Sequence, residues 1–290
     1  VYNKLKGEVL KDLTRWNYFA CVLHFCAFLF AVFYIDSEKA KAKVYKFAFD
    51  DSTTNISRVD FPVKLADAGL TNLKFYTASF FAVTAISHFL YATDFFGRKY
   101  YSAALLGTGW NPWRWFEYSI SASIMIYIIC IVTGTKETVE ALSTALITPS
   151  LMLQGYSVEG LLHQNELHDW SIGHRPSKPK IESAVMWFNF LPAWFLYLIH
   201  WYIIVSNYQR ISKEAADANK PVDSSVIFMV YSQLILFSFF GFIQTYQVYR
   251  WTTAHKGREE WSYVTYEKAY IILSSTTKLL LAGTVLYALR

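Results

Sequence analysis

The sequence predicts an all-α membrane protein: a seven-transmembrane-helix bundle with a short β-hairpin in the first extracellular loop. Two observations predict it. Hydrophobic residues make up 54% of the 290 positions and charged residues only 17%, where a soluble domain carries about 25% charged residues. The apolar residues also gather into long runs, and a run of roughly 20 is what a bilayer requires. The runs fall at 13–35, 72–96, 111–133, 139–162, 183–207, 224–250 and 263–289. Each is read as helix, because in lipid the backbone must satisfy its own hydrogen bonds. No internal repeat interrupts them, so 1–290 is read as one domain.

The fourth run is the least apolar, with Glu140, Pro149, Gln154 and Glu159 inside it. The first loop alone is sizeable. Its alternating stretch 44–49 and the extended piece 58–61 flank a polar run and predict a hairpin. Asn55-Ile56-Ser57 matches the glycosylation sequon.

Orientation follows from the basic residues. One side collects Lys4, Lys6, Lys11, Arg15, Arg98, Lys99, Arg114, Arg175, Lys178, Lys180, Arg250, Lys256 and Arg258. The other has Lys136, Arg210, Lys213, Lys220 and Arg290. The first loop adds Lys and Arg but offsets them with Asp36, Glu38, Asp50, Asp51, Asp60 and Asp67. The bias puts the N-terminus in the cytoplasm and, after an odd number of spans, the C-terminus outside. The basic N-terminal stretch leads into an apolar span too long for a signal core, so no cleavable leader is expected.

The net charge of +5 suits loops beside anionic headgroups, and no nucleic-acid motif accompanies it. Cys21, Cys26 and Cys130 fall in spans and read as small buried hydrophobes. His163, Glu166, His168, Asp169 and His174 match no zinc spacing and read as a solvated polar loop. No metal is expected.

Lys278 is the chemically informative residue. It sits in the last span among Ile271, Ile272, Leu273, Leu279, Leu280 and Leu281. A charged Lys mid-helix costs about 2.5–3.5 kcal/mol on insertion scales. It can snorkel, face the bundle interior, or react as a Schiff-base amine. Glu117 lies a turn or two inside the third span, with Arg114 on the same helix face. Either the two form a local ion pair or Glu117 faces Lys278 across the bundle. Glu117, Tyr118, Ser121, Ala122 and Met125 make one stripe that would line a slot for an elongated apolar ligand. Glu267 and Lys268 suggest that the last helix begins outside the hydrocarbon, which would bring Lys278 level with Glu117. Ser274, one turn before Lys278, shares its face and offers a hydrogen bond.

His24 and His88 also lie inside spans. Each is either a histidine bonded to a neighbouring helix or part of a polar cluster with Arg114 and Glu117. His200 lies in the fifth span and receives no role. Trp187, Trp194, Phe237, Phe239, Phe240 and Phe242 are packing or lipid-facing residues, a few of which can line the slot.

With these residues on the page, the chain resembles the heliorhodopsins. The run Arg114-Trp115-Phe116-Glu117-Tyr118-Ser119, the Ser-rich turn after it and Ser274-Ser275-Thr276-Thr277-Lys278 carry the resemblance. It covers all the spans, including His24, His88 and the approach to the last helix at 256–270. The resemblance implies a seven-helix retinal protein in inverted orientation, integral to the bilayer and forming homodimers. It implies all-trans retinal on Lys278 as a Schiff base, Glu117 as counterion, and a polar, proton-accepting cavity with His24, His88 and Arg114. Ser274 stands where pumping microbial rhodopsins commonly have a second carboxylate. The chain departs from better-known members in its Trp and Tyr content and in Gln154 before Gly155.

The implied function is a light receptor and not an enzyme, with photoisomerisation driving a conformational change read by a signalling partner. Light-driven or light-gated proton transport is the alternative. It is disfavoured for an efficient pump, because the half opposite Glu117 offers few interior carboxylates and Glu140 is near an end. A retinal-free transporter or receptor would instead use Lys278 to hold a substrate carboxylate.

Overall fold

The computed structural model describes residues 2–49, 63–95, 111–135, 137–171, 183–219, 222–253 and 262–288. In chain order the elements are α1 (Tyr2–Tyr34), β1 (Lys41–Phe49), β2 (Val63–Asn72), α2 (Leu73–Thr93), α3 (Pro112–Val132), α4 (Thr138–Ser171), α5 (Ser183–Asp217), α6 (Ser224–Thr253) and α7 (Ser262–Ala288). Each helix packs on the next, and α7 returns to α1, so the bundle is a closed ring. Helix α3 also reaches across to α6 and α7. That central position explains why α3 is buried along most of its length, from Arg114 to Ile131.

Six helices are long and apolar enough to cross a membrane; the exception is α4. Its polar side chains Glu140, Gln154 and Glu159 lower its apolarity, yet it packs between α3 and α5 as a full member of the ring. The outer faces carry large apolar side chains. Phe33, Phe75, Phe188 and Tyr202 are between 66% and 78% exposed. In water such a surface would aggregate; against lipid tails it is at rest. The chain is therefore a multi-pass integral membrane protein.

Local sequence sets the helix starts. Asn72 caps α2 by accepting the Lys74 N–H at 3.0 Å, and donates to Ser37 Oγ at 2.8 Å. Asn111 caps α3 ahead of Pro112, a residue pre-set for the first helical position. Asp223 precedes α6 and accepts the Ser225 N–H at 2.7 Å. The Ser225 hydroxyl and N–H together hold the Asp223 carboxyl below its usual range. Pro192 lies inside α5 and removes one backbone donor there, next to residues that line the central cavity.

The hairpin is antiparallel, from Lys41 opposite Asn72 to Phe49 opposite Val63, with a bulge between Val44 and Tyr45. Its first strand covers the expected 44–49. Its second strand is Val63–Asn72, later than the expected piece at 58–61, which lies outside the described residues. The strand therefore runs directly into α2, and Asn72 ends one element and caps the next.

Two further expectations change. Helix α4 continues to Ser171, so His163, Glu166, His168 and Asp169 are helical and not in a loop; His174 lies outside the described residues. Helix α5 runs ten residues past the expected end at 207, to Asp217. An exposed amphipathic extension such as Arg210 to Glu214, an i,i+4 ion pair, carries no hydropathy signal. Asn55 and the basic residues Arg98, Lys99, Lys136, Arg175, Lys178, Lys180, Lys220, Lys256, Arg258 and Arg290 lie outside the described residues.

Candidate functional site

Lys278 sits in the second half of α7 and is 2% exposed. Its Nζ donates to Glu117 Oε1 on α3 at 2.8 Å and to Ser274 Oγ, one turn back on α7, at 2.9 Å. Glu117 Oε1 also accepts the Thr84 hydroxyl from α2 at 2.6 Å. Three helices thus converge on one carboxylate. The Tyr118 ring lies 5.3 Å from Lys278 Nζ, close enough for a cation–π contact. Of the two arrangements left open for Glu117, the one observed is the contact across the bundle.

Arg114 turns elsewhere. Its guanidinium forms ion pairs with Glu159 of α4 and Glu267 of α7, and lies 4.1 Å from the Tyr270 ring centre. Glu267 Oε1 also accepts from Asn111 Nδ2 at 2.8 Å, and Glu159 Oε2 from Trp115 Nε1 at 2.8 Å. Glu267 is 2% exposed, held inside the bundle by these partners. A buried carboxylate needs such partners, because unpaired it would cost several kcal/mol.

The two histidines form a third group. His24 of α1 and His88 of α2 stack with ring centres 5.7 Å apart and planes 4° off parallel. His88 Nδ1 is 2.8 Å from Asn17 Oδ1, and His24 Nε2 is 3.2 Å from Ser275 Oγ on α7. Ser275 follows Ser274, so α7 presents one serine to Lys278 and the next to the histidines. The polar residues are therefore split into two knots on either side of Glu117. The histidine pair stands with α1, α2 and α7; Arg114 stands with α4 and the start of α7.

A cavity opens from Lys278 into the bundle. Tyr118, Ser121, Ala122 and Met125, the stripe on α3, form one wall, with Ser274 and Thr277 on α7. Aromatic side chains enclose the rest: Trp115, Trp194, Tyr197, Trp201, Phe237 and Phe240. Of the aromatics singled out in the fifth and sixth spans, Trp194, Phe237 and Phe240 line it. Trp187 packs against Phe190, and Phe239 and Phe242 are about half exposed.

Two glycines make room for these rings. A Cβ on Gly155 would strike the Trp115 ring, and one on Gly241 would come 2.8 Å from the Trp194 ring. Gly155 also presents its carbonyl to Gln244 Nε2 at 3.1 Å, which ties α4 to α6 below the cavity floor. Gln154 turns away and donates to the Asn189 carbonyl on α5.

Three residues of this region received no role from the sequence. Glu159 and Glu267 lie near span ends, and their partner Arg114 is distant in sequence. His200 of α5 lines the cavity and is 1% exposed. A charged residue five positions inside a span, opposite a basic residue at the same membrane end, is the signal that could have found Glu267.

The arrangement offers one buried amine beside a carboxylate, at the mouth of an aromatic-walled slot, with imidazoles a few ångströms further on. Such an amine can hold a carbonyl compound covalently, and its charge is balanced in place. Compared with known families, residues 13–289 match the family model described as Heliorhodopsin. No curated protein matches the sequence.

Proposed function

The chain belongs to the heliorhodopsin family, whose members are light-sensing retinal proteins of the membrane, and from that premise we propose that this one is a sensory photoreceptor carrying all-trans retinal on Lys278. The observation that carries the proposal is the Lys278–Glu117 contact of 2.8 Å at one end of the aromatic cavity. The residues present fit the group. The wall is apolar and aromatic, a single amine stands at one end, and a carboxylate lies within hydrogen-bond distance of it.

When bound, retinal supplies visible absorption and a light-driven change of shape. The protein's own part is electrostatic. Glu117 balances the positive charge at Lys278 Nζ, and Thr84 and Ser274 fix the carboxylate and the nitrogen in place. Tyr118 and Met125 fill part of the α3 wall of the slot, while the small side chains of Ser121 and Ala122 leave room between them. If the proton at Nζ is displaced, Glu117 at 2.8 Å is the nearest group able to take it, and the stacked pair His24 and His88 lies beyond as a further site for it. Arg114, locked to Glu159 and Glu267, holds α3, α4 and α7 together at that end and would transmit a displacement of α7 to its neighbours.

The apolar opposite half favours a sensor over a pump. Beyond Lys278 the interior is Met125, Ile126, Ile129, Met229, Val230, Leu281 and Val285, all nearly inaccessible. Among the carboxylates described at that end, Glu137 Oε2 accepts the Glu140 N–H, and Glu140 accepts from Asn207 Nδ2 at 2.6 Å. The cavity lining offers the imidazole of His200 but no carboxylate, so a proton leaving Nζ into the cavity meets no carboxylate acceptor on its wall. The orientation with a cytoplasmic N-terminus, a homodimer and a signalling partner complete the proposal. Voltage clamp under illumination tests the sensory reading. No current at any voltage is the expected result; a steady light-evoked proton current would replace it with transport.

A further inference from the structure

The far side of the cavity is chemically unlike the rest of its wall. Thr148 on α4 and His200 and Trp201 on α5 all line it. They are 1%, 1% and 3% exposed. Thr148 Oγ1, His200 Nε2 and Trp201 Nε1 are each buried without a hydrogen-bond partner among the described residues. Nearly all buried polar groups in folded proteins are satisfied, so three together in one cavity require a reason. Around the ring of helices, α4 and α5 lie across from α7, which packs on α6 and α1. The three atoms are therefore carried by the helices on the side of the cavity away from Lys278.

Their chemistry is mixed. The Trp201 indole can only donate, the Thr148 hydroxyl can donate or accept, and His200 Nε2 does either according to its tautomer. A purely hydrocarbon group there would leave all three unpaired. An oxygen atom would pair with at least one and, as a hydroxyl, with a donor and an acceptor at once. Water is the alternative occupant, but it would have to be trapped between a ligand and a largely apolar wall.

We propose that this end of the cavity is a polar subsite for an oxygen on the ligand's ring, so that an all-trans retinal carrying a ring hydroxyl or ketone is taken up in preference to the unsubstituted form, which also binds. The proposal rests on the retinal reading above and narrows its ligand class. Gly241 and Trp194 both line the cavity, and a Cβ on Gly241 would meet the indole, so that part of the wall is left free by the glycine.

The test uses competition. Membranes containing the full chain, expressed without retinal, receive an equimolar mixture of all-trans retinal and its 3-hydroxy or 4-oxo derivative. The bound chromophores are released with hydroxylamine and quantified by chromatography. The oxygenated form should be enriched on the order of 5–10-fold, the scale of one net hydrogen bond in a competition. H200L and T148V should bring the ratio toward one. Because both aldehydes compete within one sample, the ratio is independent of each variant's overall yield. Equal uptake, enrichment of unsubstituted retinal, or an enrichment unmoved in both variants would overturn the subsite. Failure of either aldehyde to form a pigment would instead overturn the retinal reading, and the subsite with it. Enrichment of only the hydroxy form would support the subsite with His200 or Thr148 as acceptor; enrichment of only the oxo form would support it with Trp201, Thr148 or His200 as donor.

Discussion

Glu117 Oε1 receives two hydrogen bonds at once, from Lys278 Nζ at 2.8 Å and from the Thr84 hydroxyl at 2.6 Å. The same oxygen therefore faces a cation and a neutral donor. Removing the neutral donor weakens the carboxylate's hold on its proton-free state without removing the charge. In T84V the pigment should persist, and its alkaline loss of visible colour should move down by about one pH unit. That follows from a charge-assisted hydrogen bond of about 1.5–3 kcal/mol, partly recovered by rearrangement, at about 1.4 kcal/mol per unit. A pH titration of the visible band checks it; an unmoved midpoint would remove Thr84 from the site.

Neutralising the carboxylate should act more strongly in the same direction. E117Q leaves the Lys278 nitrogen without an anion in a low-dielectric interior. The visible band should shift, and its alkaline midpoint should fall by two units or more, on the scale of about 3–5 kcal/mol for breaking a buried pair. A spectrum and titration indistinguishable from the parent would assign the counterion to another group.

The Arg114 knot should be structural first. R114M leaves Glu159 and Glu267 buried with no cation between them. The thermal midpoint should drop by the equivalent of about 3–5 kcal/mol. The triple change R114M/E159Q/E267Q should recover part of the loss, since it removes the uncompensated charges as well. A single variant as stable as the parent would show that the charges are paired otherwise.

Gly155 should tolerate no side chain. In G155A the new methyl meets the Trp115 ring. Overpacking of this kind costs about 1–3 kcal/mol, and because Trp115 lines the cavity the visible maximum should shift with it. An unchanged melting curve and spectrum would mean that the α3–α4 contact is loose.

These sites differ in how much of them is visible without coordinates. The spans are legible because hydropathy is local: a window of twenty residues contains its own signal. Lys278 stands out for the same reason, as a lone charge in an apolar run, and Glu117 follows as an interior carboxylate able to offset it. Glu267 and Glu159 do not stand out. Each lies close to a span end, where charge is cheap, and the Arg114 that makes them interior is 153 and 45 residues away. His200 is silent for another reason. A single imidazole in an aromatic helix has no periodic pattern that tells the cavity side from the neighbouring helix. The second hairpin strand was missed because Val63–Asn72 mixes small, charged and apolar residues, and its pairing with β1 decides its conformation.

The covalent attachment point tests the account most directly. The full chain is reconstituted with all-trans retinal, reduced with borohydride to fix any imine, digested, and sequenced by mass spectrometry. The account predicts the retinyl mass on the peptide containing Lys278, and no visible pigment from K278A. A coloured, reduced sample in which Lys278 is unmodified would contradict it.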